Sequence, residues 1–348
     1  MLNSTRNQLK LAKNDRHLHP RVAIYYVTAQ CNLNCAYCED FGARRNPQNQ
    51  GPLPLEQVLK ILRVIRSGMA ALMLTGGEPF THPEIDEIIL RAKKELKFRE
   101  LTVISNGFLL PQHEAALPAV DRLIVSLDSV DPQLWSQTIG VPPASAETIL
   151  ANIHQFATLQ AKYGYRMIVN AVLTPETIPG VEALLEFCRQ NKLWLSVSPQ
   201  SYNNWPRYEL TVSAAYRALI EKLIRLKRHG APILGSNAYL RTLAAFEPYD
   251  CAPTLVPRIY PNGELSYPCR PLEKAENGQG GRAVNLLNVS NWDEAWSAVY
   301  ETYGQPPRTC HSCFQQCYAE PSLMQANPRL WLSEKLRTGI DLSTYSPG

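Results

Sequence analysis

Between Val22 and about Pro199, short apolar runs rich in β-branched residues alternate with amphipathic stretches of helical period. The runs predict strands near residues 22–28, 70–75, 101–105, 122–126, 167–173 and 194–198. Strands that alternate with helices pair in parallel through crossover connections, so six of them predict a partial barrel. After the second strand, Ile85, Ile88, Ile89, Ala92 and Leu96 fall on one helical face. Thr81 and Glu84 around Pro83 read as a capping box in front of them. A further helix is expected over 175–190, where Val181, Leu184, Leu185 and Cys188 form an apolar stripe that places Cys188 in the core.

Beyond Pro199 the alternation stops. A helical stretch over 212–228 leads into a proline-rich, cysteine-bearing region over 250–320, and the polar run 273–282 reads as a surface loop. The pattern therefore divides into an N-terminal segment (1–20), a barrel (21–209), a helical connector (210–249), a cysteine-rich α+β module (250–320) and a tail (321–348).

Composition narrows the classes. A chain of 348 residues that is 45% hydrophobic can bury a full core. The net charge of +4 is spread along the chain with no long basic run, so a nucleic-acid partner is not expected. The first twenty residues lack the apolar core of a signal peptide, which leads to the expectation of a cytoplasmic protein. Arg6, Lys10, Lys13 and Arg16 among scattered leucines are more simply a solvated face than a membrane contact. Nine cysteines in a reducing compartment point to metal or cluster ligation in preference to disulfides.

The strongest chemical signal follows the first strand, where Cys31, Cys35 and Cys38 stand as C-x3-C-x2-C. Three thiolates on one loop can bind three irons of a cubane and leave the fourth open. Structural zinc, the competing reading, usually completes four ligands, and no histidine lies nearby. Two further features share the C-terminal ends of the strands, where parallel α/β folds bind ligands. One is the turn Gly76-Gly77-Glu78-Pro79; the other is the set Ser105, Asn106, Ser126, Asp128 and Asn170. The plain alternatives are a strand-to-helix turn for the first, and turn residues or a helix cap at Asp128 for the second.

The cysteine loop resembles that of the radical S-adenosylmethionine (SAM) superfamily, with Tyr37 at the aromatic position of the motif C-x3-C-x-aromatic-C. The resemblance implies a partial (β/α)6 TIM-like barrel and a [4Fe-4S] cluster whose open iron is chelated by SAM. It further implies reductive cleavage of SAM to methionine and a 5'-deoxyadenosyl radical, with a reductant such as flavodoxin or ferredoxin. Gly76, Gly77, Glu78 and Pro79 resemble the turn that holds the methionyl amino group. Tyr37, Ser105, Asn106, Ser126, Asp128 and Asn170 become candidates for SAM or substrate contact.

A second cysteine set comprises Cys251, Cys269, Cys310, Cys313 and Cys317. Cys251 and Cys269 flank an expected hairpin turned at Pro261-Asn262-Gly263, and Cys310 and Cys313 form a CxxC loop. Four ligands on two loops suit either tetrahedral zinc or a cluster. The region resembles the twitch or SPASM-like auxiliary [4Fe-4S] modules that follow many such barrels. Cys317 then remains as an exchanged ligand, a hydrogen-atom donor to a substrate radical, or a structural thiol, and His311 as a surface residue. The C-terminal cysteine surroundings are also distantly similar to the adenosylhopane synthase family, although Glu39-Asp40-Phe41-Gly42 departs from it.

The leading expectation is a radical enzyme that abstracts hydrogen from, or adds adenosyl to, a small-molecule or lipid-like substrate. Modification of a ribosomal peptide is the second enzyme reading; the short segment before the first strand leaves little room for a leader-binding domain. A non-catalytic iron-sulfur or zinc scaffold is the third.

Overall fold

The computed structural model describes residues 2–39, 41, 51–202, 205–274, 278, 280–307 and 313–344, with the side chains of 2–5 excepted. Six strands run in parallel and in chain order: β1 (Val22–Thr28), β2 (Ala71–Gly76), β3 (Glu100–Ser105), β4 (Arg122–Ser126), β5 (Arg166–Leu173) and β6 (Trp194–Pro199). Every expected strand is present, within a residue at each end. β1 is buried along its whole length because helices cover its outer side while the barrel interior covers the other.

The first strand also acquires a partner that periodicity did not announce. After a two-stranded ribbon, β7 (Ser201–Tyr202) with β8 (Trp205–Pro206), and two helices, Ala214–Arg228 and Asn237–Ala245, the chain returns to the barrel. There β9 (Arg258–Ile259) pairs in parallel with β1, Ile24 facing Arg258. β10 (Glu264–Tyr267) and β11 (Gly281–Asn285) follow antiparallel. The resulting nine-stranded sheet has the order β11-β10-β9-β1-β2-β3-β4-β5-β6, so the cysteine-rich region is hydrogen-bonded to the barrel edge. The hairpin turns where expected, with Gly263 at φ +87°.

Local details differ from the sequence reading in two places. Thr81 and Glu84 do not form a capping box. Thr81 closes a 3-10 turn, Pro79–Thr81, and its hydroxyl donates to the Glu78 carbonyl, while Glu84 accepts from the amide of Leu55. The helix Ile85–Lys94 thus starts without a side-chain cap. The helix expected from 175 begins only at Val181, after a 3-10 turn over Ile178–Gly180, where Pro179 and Gly180 interrupt the pattern; Cys188 is fully buried as expected.

The N-terminal segment packs on the C-terminal region. Arg16 donates to Asp250 and to the Cys251 carbonyl, Leu18 takes a bond from the Trp296 indole, and His17 stacks on Trp296 and packs at a tilt against Tyr300. Lys10 pairs with Asp15. Two of the four basic side chains are therefore engaged within the fold. Among the described residues no helix is long and apolar enough to cross a membrane.

Candidate active site

The loop that carries Cys31, Cys35 and Cys38 is held from two sides by backbone hydrogen bonds. On one side, Gly77 N donates to Thr28 O at 2.9 Å and Glu78 N to Gln30 O at 2.8 Å. A Cβ on Gly76 would collide with the Thr28 carbonyl and one on Gly77 with the Gln30 carbonyl, so the two glycines let β2's exit lie flush against β1's. On the other side, Asn34 N donates to Ile139 O and Ala36 N to Thr138 O, at the end of the helix Pro132–Ile139. Gly140 closes that helix with φ +69°, and a side chain there would meet the Asn34 carbonyl.

Glu78 is buried and receives three donors: Phe80 N at 3.1 Å, Ser105 Oγ at 2.9 Å and Asn106 N at 2.7 Å. These bonds tie the end of β2 to the end of β3. Burial nevertheless pushes its carboxyl up to about 7. Asn106 in turn donates from Nδ2 to Asn32 Oδ1 at 2.8 Å, reaching back to the cysteine loop.

Tyr37 donates to Asp128 Oδ2 at 2.6 Å, and Val172 N donates to Asp128 Oδ1 at 2.8 Å. Asp128 is not a helix cap; Asp131 caps the helix Pro132–Ile139. Asp128 instead joins the aromatic residue of the cysteine loop to the ends of β4 and β5. Burial raises its carboxyl to about 6.

All these elements open onto one cavity of about 280 Å³. Cys31, Cys35, Cys38, Tyr37, Gly76, Gly77, Glu78, Ser105, Asn106, Ser126 and Asn170 line it; Pro79 and Asp128 are buried and do not, Asp128 being bonded to Tyr37. The donor chemistry fits an iron-sulfur cluster and SAM. Three half-buried thiols face the cavity, burial pushing that of Cys31 up to about 11 and that of Cys35 higher. Asn170 presents a buried side-chain oxygen with no partner among the described residues.

The second cysteine set lies across the cavity wall. Cys251, Cys269, Cys313 and Cys317 are buried in one apolar cluster with Leu255, Val256 and Tyr318. Burial, and then the neighbouring sulfurs of Cys317, Cys251 and Cys269, push the Cys313 thiol well up. Cys310 and His311 lie outside the described residues, as do Asp40 and Gly42. No disulfide joins the described cysteines. Nor do the described residues contain a group of three or more His, Cys, Asp or Glu that could hold a metal ion; a cubane binds its thiolates through separate irons.

Sequence reasoning missed the polar residues between the two sets. Arg258, Arg270, Gln315 and Tyr26 all line the cavity. Arg258 Nη1 donates to Tyr26 Oη at 2.8 Å and its Nη2 to Cys317 Sγ at 2.9 Å, while Arg270 reaches Glu39 at 3.2 Å. The available signal was an arginine beside Ile259 in a run that otherwise reads as buried strand, and another directly after Cys269.

Comparison with known proteins agrees with this arrangement. A model described as "Radical SAM superfamily" matches residues 25–188, and a domain of unknown function, DUF3463, matches residues 195–335. GTP 3',8-cyclase of Mycobacterium marinum is 31% identical over 216 residues, 59% of this chain and 58% of that protein. A probable GTP 3',8-cyclase of Methanococcus aeolicus is 28% identical over 177 residues, 49% of this chain and 56% of that one. The chain thus spans a little over half the length of these relatives. Among solved structures, Streptococcus suis SuiB bound to S-adenosylmethionine superposes with a TM-score of 0.61 at 22% identity, covering 85% of this chain and 72% of that one. The protein anSMEcpe with bound AdoMet gives 0.60 at 14% identity, covering 82% and 81%. These two likenesses concern the fold. With the superfamily model laid over the barrel that carries the cysteine loop, residues 25–188 form a radical SAM domain.

Proposed function

We propose that Cys31, Cys35 and Cys38 hold a [4Fe-4S] cluster at the barrel mouth, with SAM lying between that loop and the ends of β2 to β5. Together they would supply one-electron cleavage of SAM to methionine and a 5'-deoxyadenosyl radical. The observation that carries this reading is the convergence of the three thiols, the Gly76–Gly77 turn and the strand-end polar groups on one cavity. Within it, Gly77 and Glu78 fix the start of the cysteine loop through their amides, Tyr37 and Asp128 fix its end, and Asn170 Oδ1 is free to accept from a bound ligand. Trp135, Ile139, Leu33 and Val172 give the cavity apolar walls that keep water from a reactive intermediate.

The substrate class that fits is a small molecule in the remainder of the cavity, in keeping with relatives named GTP 3',8-cyclase. Cys251, Cys269, Cys313 and either Cys310 or Cys317 would hold a second cluster. Support comes from four sulfurs buried in a single cluster beside the cavity wall. Zinc at that position is the competing reading.

The test is to reconstitute the protein anaerobically and count iron and sulfide per chain in the wild type and in a Cys31, Cys35, Cys38 triple alanine variant. Roughly eight irons falling to roughly four is the expected result for two cubanes. Four falling to none, with zinc present, would replace the second cluster by a structural zinc site. Reduced wild type should release 5'-deoxyadenosine from SAM and the triple variant none; equal release would overturn the assignment of the cysteine loop.

A further inference from the structure

Arg258 is a buried cation without a carboxylate. It is 3% exposed, and among the described residues no aspartate or glutamate pairs with it. Its contacts are the Tyr26 hydroxyl, the Cys317 sulfur, Gln315 Oε1 at 3.4 Å and the Tyr318 ring, whose centre lies 4.9 Å from Cζ. Its Nε is buried and has no acceptor among the described residues. Phenol, amide and aromatic ring are neutral, and a guanidinium cannot shed its proton at any ordinary pH. A charge so placed costs several kcal/mol unless an anion completes it.

The position of Arg258 says where that anion would sit. Pairing of β9 with β1 puts the side chain in the wall of the cavity that faces the cysteine loop. Arg270, 7% exposed, lines the same wall from the turn after Cys269, and Gln315 adds an amide. Glu78, on the strand-end side, is already saturated with three donors. Arg270 is paired with Glu39 at 3.2 Å, so the uncompensated charge of this wall is that of Arg258.

We infer that this wall binds an anionic group of the substrate, a carboxylate or a phosphate, with Arg258 as its principal contact and Arg270 and Gln315 beside it. The inference rests on the reading of the cavity as a shared SAM and substrate site. Among the described residues, the anion the chain itself could offer Arg258 is the Cys317 sulfur, free or cluster-bound, and the experiment separates that case.

Reconstituted full-length protein, saturated with SAM under anaerobic conditions, is titrated calorimetrically with inorganic tripolyphosphate and, separately, with citrate. The same titrations are made on Arg258→Gln and Arg258→Lys. One of the two anions should bind the wild type, tripolyphosphate marking a phosphate-bearing substrate and citrate a carboxylate. Affinity should fall about tenfold or more in Arg258→Gln, the loss expected for charge-assisted hydrogen bonds. It should fall severalfold in Arg258→Lys, because an ammonium cannot reproduce the guanidinium fork; that variant carries the test should the Gln variant fail to fold. SAM affinity should not change. Absence of binding by either anion, or full affinity in the variants, would overturn the inference and leave Cys317 as the counter-charge. Joint loss of SAM and anion would overturn it by placing Arg258 on SAM. Release of 5'-deoxyadenosine by the same wild-type sample reports independently on the radical SAM reading.

Discussion

Two buried carboxylates sit where they would be expected to ionise with difficulty, and Glu78 allows a direct check. Burial pushes its carboxyl up from the ordinary 4.5 of a glutamate to about 7. Native protein therefore holds the proton more tightly than unfolded chain. The stability this contributes is complete below pH 4.5 and is lost as the pH rises to 7. Replacing Glu78 by Gln removes that dependence. In urea denaturation of cluster-free protein, the stability of Glu78→Gln relative to wild type should rise between pH 4.5 and 7; a constant difference would contradict the buried, protonatable state. Glu320, also buried and pushed up to about 7, contributes with the same sign, so only the wild-type-minus-variant difference isolates Glu78. The Tyr37–Asp128 bond makes a second residue-level prediction. Tyr37→Phe keeps the ring but leaves Asp128 Oδ2 without its donor in a dry setting, so unfolding free energy should fall by about 1–3 kcal/mol, measured by chemical denaturation at neutral pH.

Most of the elements were legible because their signals are local. The six barrel strands are continuous apolar runs bounded by turns, and the triad of cysteines, with the aromatic residue just before its last member, lies within eight positions. What was not legible depends on residues far apart in the chain. The capping box failed because Thr81 is drawn instead to the Glu78 carbonyl within its own turn and to the Gln30 carbonyl, a contact that exists only once β1 and β2 are paired. Asp128 read as a cap because it stands three residues before the true cap, Asp131; its partner, Tyr37, is ninety-one positions away. The junction of β1 and β2 also yields a prediction at this scale. Gly77→Ala drives a methyl group into the Gln30 carbonyl, a backbone atom that cannot swing aside. The strands must part, at a cost of about 1–3 kcal/mol for overpacking, and the cysteine loop loses its anchor. Reconstituted Gly77→Ala should carry fewer irons per chain than wild type, whereas Gly230→Ala, at a site with open space around it, should keep its iron whatever strain its positive φ adds.

At the scale of the molecule, the division into a barrel and a cysteine-rich region is one of sequence pattern, while the hydrogen bonds run through it. β9 completes β1 on the side away from β2, and Tyr26 of β1 meets Arg258 of β9 in the cavity wall. The N-terminal segment binds the far side of the same junction through Arg16, His17 and Leu18. An edge strand stripped of its partner exposes unpaired backbone and, here, a strand that is otherwise buried along its whole length. The barrel should therefore depend on the region that follows it. A chain ended at residue 249 loses β9, the Thr254 and Trp296 contacts of the N-terminal segment, and one wall of the cavity. We expect it to aggregate or to unfold at lower denaturant than the full chain. The full chain should unfold in one transition, with far-ultraviolet circular dichroism and tryptophan fluorescence changing together, since Trp135 and Trp194 report on the barrel and Trp292 and Trp296 on the C-terminal region. Two separated transitions, or a truncated barrel as stable as the whole, would mean that the β1–β9 pairing contributes little and that the two regions fold independently.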